Sequence, residues 1–226
     1  MKAGVLGVPH GDFDTVDSVR YSVAHEAVDR DLLRCIEILN NGSLPDGQSY
    51  VHGQAAKEVV DEEEDIQIRD NSITVAEEAY ISAKYTEFVA IPGRVVIPKS
   101  SSGTFVFNMI SRQVNTTIER GQVNLREFYE VNGTADVWQA GFYDTGGNAN
   151  NGMLYGDNVM NDSEFERVLE HSQLNQLGLE YEMDSDPIKM TITESGYVNV
   201  YQPSNYESKD FLDYIQKEVL PVLDTE

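Results

Sequence analysis

Between residues 177 and 193 the sequence alternates with a strict period of two. Leu177, Leu179, Tyr181 and Met183 alternate with Gly178, Glu180 and Glu182, and Ile188, Met190 and Ile192 alternate with Lys189, Thr191 and Thr193. Successive side chains of a strand point to opposite faces, so this pattern demands strands with one apolar and one polar face. Asp184 to Pro187 and Glu194-Ser195-Gly196 are turn sequences, and Tyr197 to Tyr201 follows as a third strand. Ser204 to Glu207 offers a capping box for a last helix that buries Phe211, Leu212, Ile215 and Val219, with Pro221 ending it.

Upstream, Val137 to Tyr143 and Met153 to Tyr155 read as strands joined by a Gly/Asn loop, with a helix expected at about 162–174. Phe88 to Ile91, Pro92-Gly93 and Arg94 to Ile97 read as a β-hairpin with a Pro-Gly turn. Its arms are almost continuously apolar, as expected of strands covered on both faces. Val106, Ile110, Val114 and Ile118 recur every fourth residue, predicting a helix over about 104–119, and Asn124 caps a short helix that buries Leu125, Phe128 and Tyr129.

The first 70 residues read as helical. Ala24, Ala27, Val28, Leu32, Ile36 and Leu39 have helical spacing over about 22–39, followed by Asn40-Asn41-Gly42 as a stop. A second helix is expected at about 54–63, running into Asp61-Glu62-Glu63-Glu64-Asp65. Five consecutive acids repel one another, so that run reads as an exposed linker. The domains expected are therefore a helical region, 1–70, and a main body, 72–226, with a C-terminal unit over about 135–223. The fold class is α+β: an antiparallel sheet with helices packed on one face.

Charge says more about habitat than about substrate. Thirty-nine acidic residues face sixteen basic ones, a formal charge of −23 on 25.3 kDa. Such a chain repels itself in dilute buffer, whereas near 1 M salt the Debye length falls to roughly 3 Å and screens the repulsion. We read it as a halophilic protein. Hydrophobic residues at 40% are too many for general disorder. Cys35 is alone, which excludes an internal disulfide, and it reads as a buried, inert thiol on the first helix. The N-terminal stretch does not read as a secretion signal and no apolar run approaches ~18 residues. The expected location is cytoplasmic.

The stretch from Leu177 to Leu223, with Gly178-Leu179, Ser195-Gly196 and the 205–220 helix, resembles the second half of a TATA-box-binding-protein repeat. The resemblance implies a TATA-binding-protein-like unit at the C-terminus. It does not carry the DNA-binding wedge: the face opposite the helix would bear Glu180, Glu182, Lys189, Thr191, Thr193, Tyr197, Asn199 and Tyr201, with no Phe pair. Nucleic acid is therefore disfavoured as a partner. The segments FVAIPGRVVI, SGTFVFNMI and MTITESGYVNVYQP resemble haloarchaeal proteins, which implies a source and no activity.

Candidate chemistry is sparse. His10, Asp12 and Asp14 would project to one side of an extended strand and could hold a divalent metal; the competing reading is a solvated loop. Arg94, Lys99, Arg112, Arg120 and Arg126 are a local enrichment of base and could form a contact surface, or pair with Glu119, Glu127 and Glu130. Asp144 to Gly152 lacks the closing Glu of a calcium loop and reads as a hairpin connection. Trp138 and Tyr143 read as core or interface aromatics. No nucleophile motif, catalytic residue or cofactor-binding residue is identified, and no cofactor is expected. The leading expectation is a non-enzymatic module, with regulation as its candidate role, that acts through protein–protein contacts or as a homodimer, without a membrane. The alternatives are a metal-dependent hydrolase or nuclease using His10, Asp12 and Asp14, and an acidic nucleic-acid mimic.

Overall fold

The computed structural model describes residues 1–146, 148, 150–163, 168 and 171–223, with Arg69 described in its backbone alone. Among the described residues the fold is mainly β, 51% strand and 19% helix, in two antiparallel sheets, one of them curled into a half-barrel. The first sheet contains β1 (Ala3–Val5), β9 (Asp136–Tyr143), β10 (Asn151–Tyr155), β11 (Gln173–Met183), β12 (Asp186–Thr193) and β13 (Tyr197–Gln202), in the order β1-β13-β12-β11-β9-β10. The second contains β2 (Gly7–Pro9), β3 (Val19–Val23), β4 (Leu32–Ser43), β5 (Ser49–Arg69), β6 (Ser72–Ile91), β7 (Val95–Pro98) and β8 (Ile118–Arg120), in the order β3-β4-β5-β6-β7-β2-β8. Three short α-helices join them among the described residues: α1 (Phe105–Val114), α2 (Leu125–Val131) and α3 (Ser208–Tyr214), the last continuing through a π turn, Ile215–Val219.

The α+β expectation, with helices covering one face of a sheet, a TATA-binding-protein-like unit at the C-terminus and a helical N-terminal region, is overturned. The expected helix at 22–39 is strands β3 and β4, and the one at 54–63 is part of β5. The reason is arithmetic. Leu32 and Ile36 are four apart, a spacing that suits a helix but is also two strand periods. Pairing decides between them: β4 is laddered to β5 from Arg34↔Lys57 to Ser43↔Ser49, and Leu32 and Ile36 are buried. The same ambiguity overextended the 104–119 helix. Asn115, at φ 52°, ends α1 in the left-handed conformation, and Ile118 opens a strand. Cys35, expected in a buried helix, is exposed on β4.

The first strands of the chain enter both sheets. β1 pairs with β13 and β2 pairs with β7 and β8, so the chain changes sheets at Leu6, which is fully buried. Its amide donates to Gly196 O at 2.8 Å and its carbonyl accepts from Gly121 N at 2.9 Å. A Cβ on Gly4 would lie 2.4 Å from the Pro98 carbonyl oxygen, so only glycine lets β1 press against β7 there. The acidic run expected as a linker, Asp61–Asp65, lies inside β5.

The alternating segments behave as their period requires. Leu177, Leu179, Ile188, Met190, Ile192, Val198 and Val200 are buried, and β11–β12–β13 form a meander. Of the expected 162–174 helix, residues 164–167, 169 and 170 lie outside the described residues; Val168 and His171 are helical, and Gln173 already belongs to β11. The expected Phe88–Ile97 hairpin forms, but Arg94 belongs to the turn and the second arm begins at Val95, with Ile91↔Val95 and Val89↔Ile97 in register; Phe88–Ile91 and Val95–Pro98 are buried throughout. Its two faces feed two core clusters. Val89, Ile91, Val95 and Ile97 pack with the first sheet and the C-terminal helix; Phe88, Ala90 and Val96 pack with Val106, Phe107, Met109 and Ile110 of α1.

Asn124 caps α2 by accepting from Glu127 N at 3.1 Å, as expected. The last helix buries Phe211, Leu212, Ile215 and Val219 as expected, but its capping box is Glu207 with Asp210. It is tied to β11 by a hydroxyl pair, Tyr181 Oη to Tyr214 Oη at 2.8 Å. Burial pushes both phenols upward, so they stay neutral. Tyr214→Phe leaves one hydroxyl unsatisfied and should cost about 1–2 kcal/mol, whereas the double replacement Tyr181→Phe, Tyr214→Phe should recover most of that loss. Denaturant melts of the three variants in molar KCl check this.

Candidate contact site: a projecting arm and a basic groove

β5 and β6 run far beyond the body. β4 accompanies β5 only as far as Lys57, and β7 accompanies β6 only from Phe88. From Glu58 to Arg69 and back from Ser72 the two strands form a two-stranded ribbon, paired in unbroken register to Arg69↔Ser72. At ~3.4 Å per residue it is roughly 40 Å long. Asp70, at φ 53°, begins the two-residue turn with Asn71 that closes it.

The root of the ribbon is clamped. Arg30 donates two hydrogen bonds to the Glu58 carboxylate, at 2.8 and 3.0 Å, and Leu33 N donates a third at 2.7 Å. Arg34 donates to the Glu58 carbonyl. The Arg30 guanidinium first, and the Leu33 amide second, hold the Glu58 carboxyl down to about 2. The side chain and carbonyl of Glu58 thus seal the end of the β4–β5 ladder and set where the arm departs.

Beyond the clamp, alternation sorts side chains onto two faces. One carries Val60/Ile81, Glu62/Ala79, Glu64/Glu77, Ile66/Val75 and Ile68/Ile73 as directly opposed pairs; the other carries Asp61/Tyr80, Glu63/Glu78 and Asp65/Ala76. Ile66, Ile68, Ile73 and Val75 are 58%, 76%, 69% and 55% exposed. Four β-branched residues on one face at the tip of an arm are a contiguous apolar patch in an acidic surface. Glu63 opposite Glu78 and Glu64 opposite Glu77 are like charges in direct register, each destabilising by about 0.2–1 kcal/mol.

The basic residues singled out in the sequence scatter. Arg94 and Arg120 line one groove of about 1150 Å³ with His10, Glu119, Gln216 and Leu223. Arg120 donates to Ser195 O and, at 3.1 Å, to Ser195 Oγ, pinning the β12–β13 turn. Lys99 pairs with Glu87 at 3.3 Å, Arg112 lies 4.8 Å over the Tyr21 ring, and Arg126 donates to the Ser172 carbonyl. Four of the five therefore serve the fold, and the expected pairing to Glu119, Glu127 and Glu130 is replaced by carbonyls, a ring and Glu87.

The His10, Asp12 and Asp14 group is not drawn to one point. His10 Nε2 lies 3.1 Å from Glu119 Oε2, while Asp12 and Asp14 line a separate depression of about 460 Å³ beside Pro92 and Arg94. Among the described residues no three His, Cys, Asp or Glu side chains are grouped to hold a metal ion. The hairpin expected around Asp144–Gly152 joins β9 to β10, with Asn151 and Gly152 already inside β10 opposite Tyr143 and Phe142. Tyr143 Oη donates to Glu194 at 2.9 Å. On the outer face of the first sheet Trp138 packs edge-on to Tyr201 at 6.3 Å and takes Lys189 at 5.2 Å over its ring, and Lys189 also pairs with Glu180.

No protein-family model and no curated protein matches this chain.

Two expectations concern the arm. Glu77→Lys should place a cation opposite Glu64 and raise arm stability by about 0.5–1 kcal/mol in dilute salt, with little effect near 1 M KCl. Hydrogen exchange of the β5 amides at the two salt concentrations reads this out. Glu58 is ionised in the fold well below its ordinary range, so its clamp is complete above about pH 4.5 and is lost as the pH falls towards 2. Protection of the Leu33 amide, taken against its intrinsic exchange rate at each pH, should fall over that interval, and in Glu58→Ala it should be low already at pH 6.

Proposed function

We propose that the protein is a non-enzymatic module of a salt-rich cytoplasm that acts through protein–protein contacts, with the β5–β6 arm as its contact element. The observation that carries this reading is the exposed quartet Ile66, Ile68, Ile73 and Val75, held far from the body on a ribbon that covers neither of its faces. A two-stranded ribbon standing alone in water is marginally stable. A chain that keeps one this long, and clamps its root at Glu58, presents it to something. The acidic pairs beside the quartet act as gatekeepers, because charge on an exposed edge discourages indiscriminate strand pairing.

Charge argues against nucleic acid at this surface. Between Asp61 and Tyr80 eight acidic residues face one basic residue, Arg69. Phosphate contacts, which supply most non-specific affinity, would meet carboxylates. A nucleic-acid mimic would share that charge, but it would need no apolar tip.

The experiment is a pull-down from native extract in molar KCl after nuclease treatment. It compares the full chain with a variant in which Asp61–Tyr80 is replaced by an Asn-Gly turn. The expected result is a set of nuclease-resistant partners bound by the full chain and lost by the trimmed one, with both proteins equally folded by circular dichroism. Partners retained in full by the trimmed protein would refute the arm as contact element. Partners displaced by duplex DNA would favour the mimic.

A further inference from the structure

Resting on the arm as contact element, we propose what it takes up: an extended basic segment of a partner protein, added as a third strand along the free edge of β5 from Glu58 to Arg69. β5 has a strand on both sides up to Lys57; beyond it, among the described residues, β6 alone pairs with it. The chain's own strands cannot continue on that side, because Arg30, Leu33 and Arg34 are committed to closing the ladder at Glu58. Beyond Glu58, whose carbonyl Arg34 takes, the edge of β5 out to Arg69 has no described strand beside it, the arrangement to which an extended peptide adds by main-chain hydrogen bonds.

The side chains along that edge define the segment. Asp61, Glu63 and Asp65 lie on one face of β5, and Glu62 and Glu64 on the other. A strand laid beside them with Lys or Arg at alternate positions sets a cation next to Asp61, Glu63 and Asp65. It also offsets the opposed pair Glu63/Glu78 on that face. Further out, Ile66 and Ile68 call for β-branched side chains, which widen the apolar tip from two strands to three. The edge of β6 suits the role less well, since it carries Glu77 and Glu78 where β5 carries five acids in a row. A second copy of this chain is opposed by sign, because its own arm would bring a matching acidic run against this one.

The test uses the full chain and a fluorescein-labelled dodecapeptide of four Lys-Val repeats followed by Thr-Ile-Thr-Ile, with anisotropy read at 0.15 and 1 M KCl. Saturable binding is expected at both, weaker at 1 M because screening removes the charge contribution and leaves the apolar and backbone ones. Asp61→Asn with Glu63→Gln and Asp65→Asn should weaken binding about tenfold at 0.15 M. Two versions of the peptide, N-methylated on one or the other alternate set of amides, decide the mode, since only one edge of an added strand faces β5. Binding lost in one and kept in the other supports strand addition, and equal binding by both overturns it. Equal binding by a Glu-Val peptide, or undiminished binding to the arm-trimmed variant, also overturns it. If trimming removes the native partners but the peptide fails to bind, this proposal falls and the contact reading stands. If trimming leaves the partners in place, the contact reading itself falls.

Discussion

Burial of one hairpin on both of its faces is the constraint from which the rest of this structure follows. Phe88–Ile91 and Val95–Pro98 are buried residue by residue, with one set of side chains directed into each core cluster. Each cluster supplies a different cover. The first sheet and the C-terminal helix close one side, and α1 closes the other. Apolar surface removed from water on both faces stabilises by roughly 25 cal/mol per Å², and among the described residues no other pair of strands is covered so completely. The crossover at Leu6 serves the same centre, since β1 lies against β7 on one sheet and β2 pairs with it in the other.

The arm is the outward continuation of that hairpin. β6 passes from fully buried at Phe88–Ile91 to fully exposed at its tip without a break in its ladder to β5. Rigidity at the base and exposure at the end are therefore properties of a single strand. The Glu58 clamp fixes the point at which core becomes arm. Charge then sets the conditions under which the ribbon is ordered. Opposed glutamates repel in dilute buffer and much less in concentrated salt, so the surface that suggests a salty habitat bears directly on the element proposed to work there.

Much of the C-terminal half was legible because its period is unambiguous. Leu177 to Met183 can satisfy only a strand, and Asn124 and the Pro92-Gly93 turn carry local signals that tertiary contacts had no reason to override. The N-terminal half was misread for a definite reason. Leu32 and Ile36 fit both periods, and the acidic run 61–65 has no apolar alternation to announce a strand. The Asp70-Asn71 turn was a local clue to the long hairpin, since such a pair readily adopts a two-residue hairpin loop. Of the basic residues, spacing alone could not reveal that Arg120 would be engaged by Ser195, seventy-five positions away.

The sequence by itself determined the surface and the local rules: an acidic exterior, apolar stretches that must be buried, and the alternation, caps and turns that depend on near neighbours. Only the tertiary structure decided that β3, β4 and β5 are strands, that β1 and β2 join different sheets, and that an acidic run is the stem of an arm with an apolar tip. The physical reason is that strand pairing is non-local. A ladder such as Val51↔Ala90 to Arg69↔Ser72 is stabilised by the partner strand as much as by the residues within it.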